Sequence, residues 1–148
     1  MTNRLLNDNV TTQVKEIFDQ LQEPVEVLFF GSQVNCDYCN DTLQLVTEVV
    51  ETNDKLSLNV YDIDLHAELA RQYKVDKTPG MVIVGRDCDQ ILDYGIRYFG
   101  IPAGHEFSSL IHTMLLVSNR DSGLSAEARE YLSNLGKPVH LQVFVTPT

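Results

Sequence analysis

Apolar and polar positions alternate along this chain with two periods, and the changes from one period to the other mark out the elements. Val10, Val14, Ile17, Phe18 and Leu21 recur at helical spacing, predicting a helix over 10–21 that Asn9 or Thr11 caps and Glu23-Pro24 ends. Val25 to Phe30 is apolar apart from Glu26, the pattern of a buried strand in a mainly parallel sheet. Gly31-Ser32 breaks it. From Cys36 to about Glu51 the positions Cys39, Leu43, Val46 and Val50 return to helical spacing, so a helix is expected to start at the cysteines.

Leu56, Leu58 and Val60 alternate with polar neighbours as a strand ending in Asp62-Ile63-Asp64, a pair of acids expected to cap the next helix. That helix is predicted over Leu65 to about Tyr73. Lys77-Thr78-Pro79-Gly80 interrupts it. Met81 to Val84, a turn over Gly85 to Asp89, and Gln90 to Tyr94 read as a hairpin. Gly95 to Gly104 reads as a loop, and Phe107, Leu110, Ile111, Met114 and Leu115 mark a helix from His105 to near Ser118. Strands separated by helices imply right-handed crossovers. The expected fold is therefore α/β, a four-stranded mixed sheet flanked by helices.

After residue 119 the pattern starts again. A polar linker, a helix over Ser125 to Leu135, Gly136-Lys137-Pro138 and a strand Val139 to Val145 repeat the opening order of helix, proline and apolar strand. The expected organisation is one domain over 1–119 and, over 120–148, the linker, helix and first strand of a truncated second unit.

Charge narrows the function. Eleven basic against 21 acidic residues give a net charge of -10, which argues against a nucleic-acid or anionic-membrane partner, since both need a cationic patch. No stretch approaches the roughly 18 apolar residues that span a bilayer, and the first residues lack a secretory signal pattern. The expected setting is cytoplasmic.

In such a compartment the pair Cys36-Asp37-Tyr38-Cys39 points to redox or metal chemistry more than to a structural staple. A zinc site needs about four ligands, and no second C-x-x-C or H-x-x-H accompanies it, so no metal and no bound cofactor is expected. At a helix start, Cys36 lies where unpaired N–H groups favour a thiolate, with Cys39 within reach of its sulfur. Asp37 opposes that field, and the pair is expected to be comparatively reducing. Tyr38 reads equally as a ring over the dithiol or an ordinary helix-face residue. Cys88, between Asp87 and Asp89, reads as a surface thiol, and His66, His105, His112 and His140 have no ligand spacing.

The dithiol, the Thr78-Pro79 dipeptide, R-Y-F-G-I-P-A-G-H-E-F and the closing V-F-V-T-P-T together resemble the thioredoxin/glutaredoxin superfamily, in particular the N-terminal unit of the two-unit, glutaredoxin-like protein disulfide oxidoreductases. The resemblance implies a thioredoxin-like fold and a cis Pro79 facing the dithiol. It also implies a Thr78 backbone that pairs with an extended substrate, and a second C-x-x-C beyond Thr-Pro-Thr. Asn35 stands where thioredoxins have a tryptophan, and Phe30 where they have a buried acid. Gly100 to Glu106 is only loosely similar to the glutathione-binding segment of glutaredoxins.

The leading expectation is a thiol–disulfide oxidoreductase in which Cys36 attacks and Cys39 resolves, acting on protein disulfides or dithiols. Its alternatives are a redox relay of a peroxidase-reductase system fed by a flavoprotein reductase, and a structural unit supporting a second dithiol outside the chain.

Overall fold

The computed structural model describes residues 4–146, so the last two residues of V-F-V-T-P-T lie outside it. The elements run α1 (Asp8–Phe18), β1 (Val25–Gly31), α2 (Cys39–Val50), β2 (Leu56–Asp62), α3 (Ala67–Gln72), β3 (Gly80–Asp87), β4 (Gln90–Phe99), α4 (His105–Asn119) and α5 (Ala126–Ser133). The sheet order is β2-β1-β3-β4. β1 runs parallel to β2 and antiparallel to β3, and β3 antiparallel to β4. This is the expected mixed sheet.

β1 is buried along its whole length because both its faces are covered. Val25, Val27 and Phe29 face a core built with Val14 and Phe18 of α1, Val46 and Val49 of α2, and Leu110 and Met114 of α4. Leu28 and Phe30 face a smaller core with Ala70, Tyr73, Val82 and Val84. Glu26, 1% exposed, interrupts that second face, and its carboxylate is held by Arg86 and Asn59. A buried carboxylate is tolerated in a strand when its charge and lone pairs are met in this way.

Several boundaries differ from the sequence pattern. α1 starts at Asp8, where the Asn7 side chain accepts the Val10 N–H at 2.9 Å; Thr11 instead turns its hydroxyl to the Asn7 carbonyl. Asn9 and Thr11 are therefore inside the helix. The acids after β2 do not cap α3: Asp62 Oδ1 accepts the N–H groups of Asp64 and Leu65, folding the turn before it, and His66 is the cap residue.

The loop expected over Gly95 to Gly104 begins only after Phe99, because Gly95 to Phe99 form the second half of β4. The register shifts between Val82 and Val84, and Gly95 sits there at φ 81°. A glycine at positive φ permits such a bulge without ending the strand. Past it, Arg97 anchors the strand through a bidentate pair with Asp93 and a bond from Nε to the Tyr73 carbonyl at 2.7 Å.

The strand expected over Val139 to Val145 is not formed. Residues 136–146 make no sheet pairing, α5 buries none of its side chains, and Phe144 is 90% exposed. An apolar, alternating segment has the propensity of a strand, but it needs a neighbour to take its backbone groups. Among the described residues no helix is long and apolar enough to cross a membrane.

The N-terminal segment is tied to α2 by one carboxylate. Glu48 accepts from Leu5 N at 3.0 Å, Leu6 N at 2.8 Å and Gln44 Nε2 at 3.0 Å. Burial raises its pKa, but these donors and the charge of Arg4 outweigh burial and hold it below the ordinary 4.5. A depressed carboxylate contributes stability above its unfolded value and loses it as pH falls through the folded one. Glu48→Gln is accordingly expected to cost about 1–3 kcal/mol at pH 7. The difference should close on acidification below the carboxylate range, as followed by urea unfolding at several pH values.

Candidate active site

The topology brings four strand ends together at one edge of the sheet. Gly31, the last residue of β1, pairs with Asp62 at the end of β2, and the Ile63 N–H donates to the Gly31 carbonyl at 2.9 Å. On the other side Phe30 pairs with Gly80, the first residue of β3, and Gly80 with Phe99, the last of β4. Chain leaving β1 and chain entering β3 thus meet. The first carries Cys36 and Cys39, the second Thr78-Pro79.

Cys36 and Cys39 form a disulfide, with Cα atoms 5.4 Å apart. α2 begins at Cys39, three residues later than the cysteine spacing suggested; Cys36 lies in the preceding turn, closed by the Cys39 N–H on the Cys36 carbonyl at 3.5 Å. Asn35, at φ 57°, makes the sharp approach to that turn. Cys36 is half-buried and Cys39 is 6% exposed, so the two cysteines differ in exposure. The Ser32 N–H donates to Cys39 Sγ at 3.4 Å. Cys39 Sγ lies over the backbone of Gly31, where a Cβ would be only 3.5 Å from it.

The Thr78–Pro79 peptide is cis, as the family resemblance implied. Pro79 is buried, its carbonyl accepts the Gly100 N–H at 2.9 Å, and Thr78 is half-buried. Gly80 follows because no side chain fits there: a Cβ would meet Val75 Cγ1 at 2.7 Å and the Lys77 carbonyl oxygen at 2.8 Å.

Tyr38 is 59% exposed, Val34, Leu65 and Phe99 are exposed as well, and the Lys77 ammonium lies 5.5 Å from the Phe99 ring centre. Asp37 is exposed between the cysteines. Glu26, the one deeply buried acid of β1, lies five residues back along the strand, about 16 Å from Gly31. It takes no part here. Cys88 is free and exposed in the β3–β4 turn at the opposite end of β3.

One contributor escaped the sequence pattern: Ser32 read only as turn punctuation, yet its backbone reaches the buried sulfur. Thr42, fully buried one helical turn beyond Cys39, was not singled out by the sequence pattern, although a hydroxyl three residues after a C-x-x-C is a signal that spacing alone could have raised.

A dithiol at the end of the central strand, at the mouth of a helix and beside a cis X-Pro corner, on a β2-β1-β3-β4 sheet, defines a thiol–disulfide oxidoreductase of thioredoxin-like fold. The family model described as "Thioredoxin domain" matches residues 24–98, and the chain belongs to that family.

Among proteins with similar sequences, the F subunit of alkyl hydroperoxide reductase from Pseudomonas aeruginosa is 28% identical over 131 residues, covering 88% of this chain and 22% of that protein. Its Staphylococcus aureus counterpart is 26% identical over 144 residues, 97% of this chain and 25% of that one. The chain thus spans about a quarter of the length of these curated relatives. Among solved structures, a protein disulfide oxidoreductase from Aeropyrum pernix K1 superposes with a TM-score of 0.76 at 28% identity, over 87% of this chain and 55% of that one. The N-terminal domain of the Enterococcus faecalis alkyl hydroperoxide reductase AhpF shares the fold, with a TM-score of 0.77 at 23% identity, over 89% and 62% of the two chains.

Proposed function

We propose that the chain exchanges disulfides with protein disulfides or dithiols, Cys36 acting as nucleophile and Cys39 as resolving cysteine. The observation that carries this is the unequal exposure of the two cysteines, Cys36 half-buried and Cys39 nearly covered. The Cys36 thiolate attacks a substrate disulfide, and Cys39 then displaces the substrate from the mixed disulfide. Tyr38 offers an apolar contact, and the Thr78 backbone beside Pro79 pairs with an extended substrate segment. A cytoplasmic setting would keep such a pair turning over.

A second reading is a redox relay that takes electrons from a flavoprotein partner. The matches to the F subunits of alkyl hydroperoxide reductases support it, since this chain is similar to about a quarter of those proteins. In either case we assign 1–119 to one thioredoxin-like domain and 120–148 to the linker, helix and an unpaired apolar segment of a second unit. The unpartnered α5 and the exposed Val139 to Val145 support that division.

The deciding experiment is the equilibrium of the pair against a dithiothreitol or glutathione buffer, read by thiol alkylation and mass spectrometry. A single reversible transition near or below about -250 mV is expected. A pair that never exchanges would sink the proposal, and insulin reduction separates a broad reductase from a relay confined to one partner. Asp37 sets the sign of a companion test: its charge disfavours the neighbouring thiolate and so favours the disulfide. Asp37→Asn is expected to make the pair less reducing, by about 10–30 mV, which is up to a tenfold change in the equilibrium.

A further inference from the structure

Among the described residues, the Thr42 hydroxyl is the one buried side-chain polar atom with no hydrogen-bond partner. Its siblings behave differently. Thr11, Thr12 and Thr47 turn their hydroxyls back to the carbonyls of Asn7, Asp8 and Leu43, and Thr52 bonds the Val49 carbonyl. Thr113 meets the Tyr98 hydroxyl at 2.8 Å. The same backward turn at Thr42 would reach the Tyr38 carbonyl, and it is not made. Threonine has two open rotamers in a helix for this reason. A buried hydroxyl without a partner costs free energy, and such an orphan calls for a physical account.

Thr42 follows Cys39 by three residues on the same buried face of α2, which sets the two Cβ atoms about 5–6 Å apart. A hydroxyl and a sulfur on such neighbours can meet by side-chain rotation. In the disulfide the sulfur is uncharged and already accepts the Ser32 N–H, so it has little call on a second donor. In the reduced protein that changes.

We infer that Thr42 is a positioning residue for the resolving step, its hydroxyl donating to Cys39 Sγ as that sulfur becomes a thiolate. The inference rests on the exchange chemistry proposed above. In the mixed disulfide, the Cys39 thiol gives its proton to water, and its sulfur attacks Cys36 Sγ. The Cys36–Cys39 bond forms as the bond from Cys36 to the substrate sulfur breaks. The substrate leaves with the electron pair as a thiolate and takes a proton from solvent. The attacking thiolate is buried, and a buried anion needs donors to replace water. The Ser32 N–H is one and the Thr42 O–H is the second.

The oxidised form therefore carries an unsatisfied hydroxyl that the reduced form satisfies. Thr42→Val removes that cost from the disulfide and the donor from the thiolate, and both effects shift the equilibrium toward the disulfide. Thr42→Ser keeps the donor.

The test uses the full chain and a mixed disulfide formed between Cys36 and thionitrobenzoate. Its resolution by Cys39 is followed by release of the coloured thiol across a pH series, alongside the equilibrium constant against dithiothreitol. Thr42→Val is expected to resolve about tenfold more slowly near pH 7 and to shift the equilibrium about fivefold or more toward the disulfide. The rate at which Cys36 is alkylated should be unchanged, and Thr42→Ser should fall within about twofold of the wild type on every measure. Wild-type values for Thr42→Val would overturn the inference. Equal losses in the Val and Ser variants would also overturn it, by showing that packing and not the hydroxyl matters. If the wild-type chain forms no mixed disulfide at all, the exchange chemistry itself fails, a result distinguishable from the other two.

Discussion

Cys36→Ser is expected to lower thiol–disulfide exchange by at least about three orders of magnitude, because a serine hydroxyl with no adjacent base is a far weaker nucleophile than a thiolate. Cys39→Ser has a different expected signature. Cys36 can still attack, but nothing displaces the substrate, so a mixed disulfide accumulates and is visible by mass spectrometry under non-reducing conditions. The asymmetry follows from the structure, in which Cys36 is half-buried and Cys39 is nearly covered. Substrate trapped on Cys39 in the Cys36→Ser variant would reverse the assignment of the two roles.

Phe18→Ala should give the largest loss of stability, about 3–5 kcal/mol. Phe18 has no exposed surface and closes α1 onto the larger core, which the sheet shares with α2 and α4. The neighbouring chain is fixed, since the Asn53 side chain donates to the Phe18 carbonyl at 3.1 Å, so the site has little freedom to collapse into the cavity. A domain of this size has about 5–15 kcal/mol in all, and a fall in the urea midpoint with an unchanged slope would report the loss. Asn53 leads into β2 beside the Val25 end of β1, whereas the dithiol follows the Gly31 end, so a variant that still folds should retain exchange at low temperature. A loss under about 1 kcal/mol would mean that α1 is not anchored as described.

Most of the architecture could be read along the chain because it is written in periodicity. The buried run Val25 to Phe30 and the amphipathic pattern after Cys39 each follow from a helix or strand burying one face or both. The dithiol was equally plain, since a C-x-x-C opening a helix needs no tertiary knowledge to be noticed. Local chemistry that depends on alternatives was harder. The sequence offered Asn9 or Thr11 as the cap of α1, and only the fold shows that Asn7 does it, leaving both candidates inside the helix. Gly95 looked like the end of a strand and is a bulge within it, because the neighbouring β3 continues to offer partners on both sides.

Residue type and spacing were enough to give the α/β order and the C-x-x-C pair as a candidate, since each rests on residues close in sequence, whereas the X-Pro corner was read from the family resemblance. Pairing and burial required the folded chain. Gly31 meets Asp62 and Phe30 meets Gly80 only through the sheet, and that register carries Pro79 to the dithiol from far along the sequence. Burial set Cys39 apart from Cys36 and left the Thr42 hydroxyl without a partner, neither of which a pattern of residue types records. Val139 to Val145 shows the reverse: strand propensity is local, but a strand exists only where another chain segment takes up its hydrogen bonds.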